Sequence, residues 1–137
     1  MVQILSDSST LYSKSQAMNI GLEITPLVVI IGKDNYREFE TIDSDTLLSK
    51  IENGAIPTSS QPPIGEKIDL YNQYGKDQDV IDITMAAGLS GTYDSALMAK
   101  ESCNYSDNIS VFNSKTLCGP HRVLVNEALK MAKDGKT

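Results

Sequence analysis

Hydrophobic and polar positions alternate in blocks along the chain, and these blocks predict strands and helices in turn. Short apolar runs predict buried strands at residues 1–5, 22–31, 80–85 and 109–112. Longer segments between capping and stop residues predict helices at 11–20, 45–52, 64–74, 92–102 and 120–133. Residues 32–40 predict a turn and a short edge strand, and residues 55–61 a polar loop. Because strands alternate with helices, we expect an α/β fold: a mainly parallel sheet with helices on both faces.

Individual residues add detail to this pattern. Residues 28–31 are all Val or Ile, which predicts a central strand, although Pro26 limits the pairing at its start. Gly21 and Gly75 are placed to end helices, and Ser44 is placed to cap the start of one.

Composition and charge exclude several classes of function. The chain has 137 residues, 40% of them hydrophobic, which is the size and character of one soluble domain. Its net charge is -6, with 12 basic residues scattered among 18 acidic ones, so we expect no binding to nucleic acid or to anionic membranes. No segment has the length of a membrane span and no signal peptide is recognisable, which predicts a cytoplasmic protein without stable membrane insertion.

Metal and cofactor sites are also not expected. Cys103 and Cys118 are the only cysteines and His121 is the only histidine, which are too few for a metal cluster. Because nothing else in the sequence suggests secretion, we expect the two thiols to be reduced. The sequence contains neither a Walker-type loop nor the G-x-G-x-x-G pattern of dinucleotide-binding proteins.

Hydroxyl-bearing and small residues are concentrated in four loops. In an open parallel sheet, ligands bind at the carboxyl ends of the strands, beside helix N-termini. The loops expected there are 6–10, 58–61, 88–92 and 113–116. Unpaired N–H groups and helix dipoles at such an edge favour an anion, to which Ser90 and Ser59 or Ser60 could donate while Gly91 permits close approach. Lys115 is the only nearby cation, which favours a singly charged carboxylate over a phosphate.

Two other interpretations remain open at this stage. Each of these loops, taken alone, is more typical of simple helix capping than of a ligand site. The segment GLSGT at 88–92 also resembles the start of a G-x-S-x-G nucleophile elbow, but Thr92 replaces its last glycine. A serine hydrolase using Ser90 is therefore the alternative function, although no acidic residue is clearly placed to orient His121.

Several motifs resemble those of the DegV family. The segments ILSDSS at 4–9 and ITPLVV at 24–29 are similar to the first two strands of that family. PTSSQP at 57–62 resembles its P-x-T-S-Q-P signature, and GLSGTYDSA at 88–96 its G-L-S-G-T-Y-x-S-A signature. The resemblance covers the whole chain. It implies that residues 1–137 form a DegV-type N-terminal lobe and that the family's C-terminal lobe is absent.

The resemblance implies a fatty-acid-binding protein rather than an enzyme. In that family an acyl chain lies in an apolar tunnel, and the bound acid is presented to a partner fatty acid kinase. By position in the motifs, Ser59 and Ser90 are the expected ligands of the long-chain carboxylate, with Ser60, Gly91 and Thr92 as neighbours. No cofactor or metal is implied. A third possibility is a lobe that folds but binds no ligand tightly.

The sequence departs from the family pattern at three places. Ser59 stands where the family has Thr, which keeps the donor but loses a methyl group. Ala86 and Ala87 replace a frequent Ser-Ser pair, and Asn113 replaces the usual Asp. The family's C-terminal lobe supplies a basic residue and a histidine near the carboxylate, and His121 does not correspond to that histidine.

Overall fold

A four-stranded parallel sheet forms the centre of the protein. The structure is a computed structural model and describes residues 1–136. In chain order its strands and α-helices are β1 (Val2–Asp7), α1 (Lys14–Ile20), β2 (Leu22–Thr25), β3 (Val28–Ile31), β4 (Asp34–Arg37), α2 (Ser44–Glu52), β5 (Thr58–Ser60), α3 (Ile64–Gly75), β6 (Asp79–Thr84), α4 (Thr92–Ser102), β7 (Ile109–Asn113) and α5 (Cys118–Lys133). The central sheet has the order β2-β1-β6-β7, and each neighbouring pair is parallel.

Helices cover both faces of this sheet, as the alternation of blocks predicts. Ile4 on β1 packs on one face with residues of α1 and α5, including Val125. Its neighbour Leu5 packs on the other face with residues of α3 and α4, including Tyr71 and Ala99. Successive residues of a strand point to opposite faces, so β1 contributes to both hydrophobic clusters. The predicted fold class is confirmed.

The predicted strand at 22–31 is wrong as a single element. Its first part, β2, pairs with β1 as far as Thr25, and its second part, β3, lies in a separate antiparallel sheet of order β4-β3-β5. Pro26 separates the two parts because it has no N–H with which to continue the ladder. The 28–31 segment is indeed a central strand, but of this small sheet. The segment 55–61, predicted as a loop, contains the edge strand β5.

Several helix ends also differ from the predictions. The segment 11–20 begins its helix only at Lys14, after Ser13, which forms a capping box with Gln16. The cap of α2 is Asp43 and not Ser44, because the Asp43 carboxylate accepts the Thr46 N–H at 2.7 Å. Helix α5 begins at Cys118 instead of residue 120. Gly21 does end α1, with a φ of 79° that favours glycine.

A buried ion pair connects α3 to the central strand β6. Lys67 Nζ and the Tyr71 hydroxyl each lie 2.5 Å from Asp82 Oδ2, and all three side chains are fully buried. Burial, followed by the nearby Asp82 carboxylate, raises the pKa of Tyr71 far above its usual range. No sequence pattern indicated this cluster, because Lys67 and Asp82 stand 15 residues apart in different predicted elements.

Membrane spanning is not supported by any described helix: none between residues 1 and 136 is both long and apolar enough to cross a bilayer.

Candidate functional site

A cavity of about 350 Å³ lies between the central sheet and the small sheet. Its wall is made of the following residues: Leu27, Ser59, Ser60, Gln61, Met85, Leu89, Ser90 and Gly91. The structure therefore brings together four of the five residues predicted for the site. Thr92 is the exception, since it is fully buried behind the cavity.

Strand pairing brings the first motif to the cavity. β5 pairs with β3 so that Ser59 lies opposite Val29 and Ser60 opposite Val28. Ser59 and Ser60 remain exposed on this edge strand. The second motif follows β6 and leads into α4, which places Ser90 and Gly91 at the N-terminus of that helix.

The two motifs touch each other at Gly91. A Cβ atom at this position would overlap the side-chain oxygen of Gln61. The backbone of Gly91 has a φ of -71°, which any residue can adopt. Glycine is therefore not required by the backbone here, but a Cβ would displace the end of the flexible, exposed Gln61 side chain from its contact with the second motif.

The Ser90 hydroxyl is oriented by Thr92. Ser90 Oγ accepts the Thr92 N–H at 3.2 Å and lies 2.8 Å from Thr92 Oγ1. When the Thr92 hydroxyl donates this second bond, the Ser90 O–H is left to donate to a ligand in the cavity. Capping and ligand binding are thus compatible at this residue.

The cavity wall is uncharged. Its polar groups are hydroxyls, an amide and backbone, and its apolar groups are Leu27, Met85 and Leu89. The N-terminal end of α4 favours an anion, although Asp94 in its first turn reduces this effect. Lys115, the cation considered from the sequence, is not part of the wall.

Two of the four predicted hydroxyl loops do not line this cavity and make their hydrogen bonds elsewhere in the protein. Residues 6–10 are buried and have partners inside the protein. In the loop after β7, Asn113 Oδ1 accepts the Ala87 N–H at 3.2 Å, and Ser114 caps its own turn by accepting the Thr116 N–H. Both loops follow parallel strands and so lie at the expected edge of the central sheet, but neither belongs to the wall of this cavity.

His121 belongs to a buried cluster that the sequence did not indicate. Its Nε2 lies 3.0 Å from the Ile83 carbonyl, which can only accept, so Nε2 carries the proton and Nδ1 accepts the Ser9 hydroxyl at 2.8 Å. The nearest acid, Asp7, is 4.0 Å from Nδ1. Within residues 1–136, the hydrogen bonds of His121 reach Ser6, Ser9 and Ile83 but not Ser90.

A second, apolar groove of about 370 Å³ lies beside α5. Its residues include Ile81, Ile83, Phe112, Leu124, Ala128 and Met131. Phe112, Leu124 and Met131 are all exposed. We refer to this surface as the α5 groove. It adjoins β7, which pairs only with β6 among the described strands.

Comparison with known proteins gives a consistent family assignment. A family model described as "Uncharacterised protein, DegV family" matches residues 1–137. Protein DegV of Bacillus subtilis is 32% identical over 98% of this chain and 48% of its own length. A crystal structure of DegV from that species, described as a fatty acid binding protein, has a TM-score of 0.88 at 30% identity, again over 98% of this chain and 48% of its own.

Two further solved structures share the fold. A stearic acid-binding protein from Eubacterium ventriosum has a TM-score of 0.90 and 28% identity, covering 100% of this chain and 49% of its own. The Fatty Acid Kinase (Fak) B3 protein of Streptococcus pneumoniae, loaded with linoleic acid, has a TM-score of 0.81 over 100% of this chain and 50% of its own. At 19% identity, the latter likeness concerns the fold alone. The chain spans about half the length of these relatives.

Proposed function

This chain belongs to the DegV family, and from that premise we propose that it is the N-terminal lobe of a cytoplasmic fatty-acid-binding protein. The ligand is a long-chain fatty acid whose carboxylate lies in the cavity between the two sheets. Ser59 and Ser90 donate hydrogen bonds to it, with Ser60, Gly91 and Thr92 as neighbours. The lobe acts by binding and not as an enzyme.

The observation that carries this proposal is the composition of the cavity wall. Serine hydroxyls from two motifs about 30 residues apart meet in one uncharged cavity. Hydrogen-bond donors on one side suit a carboxylate, and the apolar side chains of Leu27, Met85 and Leu89 suit the first methylene groups of an alkyl chain. A phosphate would need more positive charge than this wall supplies.

We further propose that the bound acid is presented to a fatty acid kinase. Ser59 and Ser60 are exposed, so a carboxylate held there stays accessible to a second protein. The proposal predicts that purified fatty acid kinase and ATP phosphorylate an acid carried by a chain of full family length. If no phosphate is transferred although the acid is still bound, the proposed role of the kinase is refuted. The proposed binding of a fatty acid is not affected by that result.

Replacement of Ser90 by Ala tests the binding proposal. Loss of a hydrogen bond to a charged group costs roughly 1.5–3 kcal/mol, so we expect the Kd for a C16–C18 fatty acid to rise by roughly 10- to 150-fold. Titration with a fluorescent fatty acid measures this value. Ser110→Ala is the matched control, because Ser110 is exposed on β7 away from the cavity. Equal affinity of the two variants would exclude Ser90 as a ligand.

Two outcomes would favour the alternatives instead. Covalent labelling of Ser90 by a serine-directed fluorophosphonate would support the hydrolase, although the Ser90 hydroxyl bonds to Thr92 while His121 bonds elsewhere. The purified chain carrying and binding no fatty acid would support a lobe without a tight ligand.

A further inference from the structure

The polar segment that follows β1 is buried, which is unusual for a run of serines and an aspartate. Ser6, Asp7, Ser8 and Thr10 are fully buried, and Ser9 is 7% exposed. A buried polar group lowers stability unless it is hydrogen-bonded. The partners of this segment therefore indicate what it holds in place.

Two of these side chains accept hydrogen bonds from the backbone of the cavity wall. Asp7 Oδ2 accepts the Met85 N–H at 2.8 Å, and Ser8 Oγ accepts the Leu27 N–H at 2.9 Å. Met85 follows β6 and Leu27 precedes β3, so the two bonds hold residues beside different sheets. Both Met85 and Leu27 line the cavity.

Further hydrogen bonds, on the side away from the cavity, hold this segment in place. Ser8 Oγ donates to Glu38 Oε2 at 2.5 Å, and Asp7 Oδ1 accepts the Ser9 N–H at 3.0 Å. His121 holds the Ser9 hydroxyl from α5. Asp7 and Ser8 therefore have little freedom to move, and neither belongs to the cavity wall itself.

We propose that Asp7 and Ser8 are positioning residues of the fatty-acid site, setting the separation of Met85 and Leu27 across the cavity through two side-chain-to-backbone hydrogen bonds. This inference rests on the proposed function for its effect on binding. The two hydrogen bonds to the amides of Met85 and Leu27 are a separate claim, which can be tested on the protein without ligand.

Two variants test the two anchors separately. Ser8→Ala removes the acceptor for Leu27, so we expect faster hydrogen exchange at the Leu27 amide and not at Met85. Asp7→Asn preserves the size of the side chain, and its remaining oxygen stays with the local Ser9 N–H while its amide group faces the Met85 N–H. We therefore expect faster exchange at the Met85 amide. Exchange followed by NMR measures both amides.

Binding provides the second measurement. Each variant should weaken binding of a fluorescent fatty acid by about five-fold or more, because each lost anchor lets one wall shift. Ile109→Val is the control, since it lowers stability through packing on the α3 and α4 face and touches neither anchor. We expect this control to bind like the wild type at a temperature where all the proteins are folded.

The outcomes separate the inference from the proposed function. Unchanged exchange at both amides, or affinity loss no larger than that of the Ile109 control, would overturn the positioning role. Absence of binding by the wild type would refute the proposed function instead. In that case, faster exchange at the Leu27 amide in Ser8→Ala and at the Met85 amide in Asp7→Asn would still support the positioning role, and unchanged exchange at both would overturn it.

Discussion

Gly91 lets the side chain of Gln61 lie against the second motif. A Cβ there would overlap the end of this flexible, exposed side chain, so Gly91→Ala should turn Gln61 away while the backbones of both motifs stay in place. Stability should therefore change little, whereas the displaced Gln61 side chain should obstruct the cavity and weaken fatty-acid binding. Because the backbone of Gly91 has an ordinary φ, the added strain is only steric.

The double variant Gly91→Ala, Gln61→Ala tests whether the overlap with Gln61 is the reason for the loss of affinity. Shortening Gln61 removes the overlap, so the double variant should recover much of the lost affinity, as measured by fluorescence titration. A double variant that binds as poorly as Gly91→Ala would show that the contact with Gln61 is not the reason for glycine at this position.

Glu38 gives the protein a predictable dependence on pH. Burial raises the pKa of Glu38 above its ordinary value of 4.5, while its bond from Ser8 lowers it in part. The folded state therefore keeps a proton that the unfolded state has released, and the free energy of unfolding falls as the pH rises above 4.5 and through the raised pKa.

Glu38→Gln should remove this loss, because Gln keeps the shape and an acceptor for Ser8 without the charge. The free energy of unfolding of the variant, relative to the wild type, should increase as the pH rises from 4.5 and then level off above the raised pKa. Urea denaturation across this range measures it. A constant difference between the two proteins would contradict a raised pKa at Glu38.

At the scale of single residues, the sequence predicted what lies in continuous motifs. Ser59 and Ser90 each stand in a recognisable segment, but their meeting depends on β5, which the sequence pattern predicted only as a loop. Lys67 and His121 could not be found in this way, since their partners are distant in the chain and chosen by packing. A lone lysine within a helix and a lone histidine near a helix start carry no signal of burial.

Among the elements, α3 is joined to the central sheet by a buried ion pair. Its Lys67 pairs with Asp82 of β6 in a fully buried position. Removing one member of such a pair leaves an uncompensated charge and costs about 3–5 kcal/mol, so Lys67→Met should be strongly destabilised. Lys67→Met with Asp82→Asn should recover much of this loss, as measured by urea denaturation. Two equally destabilised variants would mean that the charge is not the cause.

Helices and strands were predictable to different extents. α4 matches its predicted range, because a loop of small residues precedes it, and α3 differs only in including Gly75. β2 and β3 could not be separated by periodicity, since only Pro26 and Leu27 lie between them and neither is polar. The division at Pro26 reflects tertiary pairing with two different sheets.

For the whole molecule, the cavity lies where two sheets of unequal burial meet. Val29 is the only buried residue in the three strands of the small sheet, whereas β1 and β6 are mostly buried. We therefore expect rapid hydrogen exchange in β3, β4 and β5 and slow exchange in β1 and β6. Under the proposed function, a fatty acid in the cavity would contact β5 of the small sheet and residues that follow β6, so it should slow exchange mainly in the small sheet. Equal slowing in both sheets, measured by mass spectrometry, would contradict this arrangement.

The α5 groove has a consequence for how this protein behaves in concentrated solution. An open strand edge beside exposed Phe112 and Met131 gives neighbouring molecules a surface on which to stack. Crowding of molecules in a concentrated preparation would then bury this surface by self-association, so the apparent melting temperature would rise with protein concentration. The melting temperature of this protein would then depend on how many molecules share the solution and not on the fold of one chain alone.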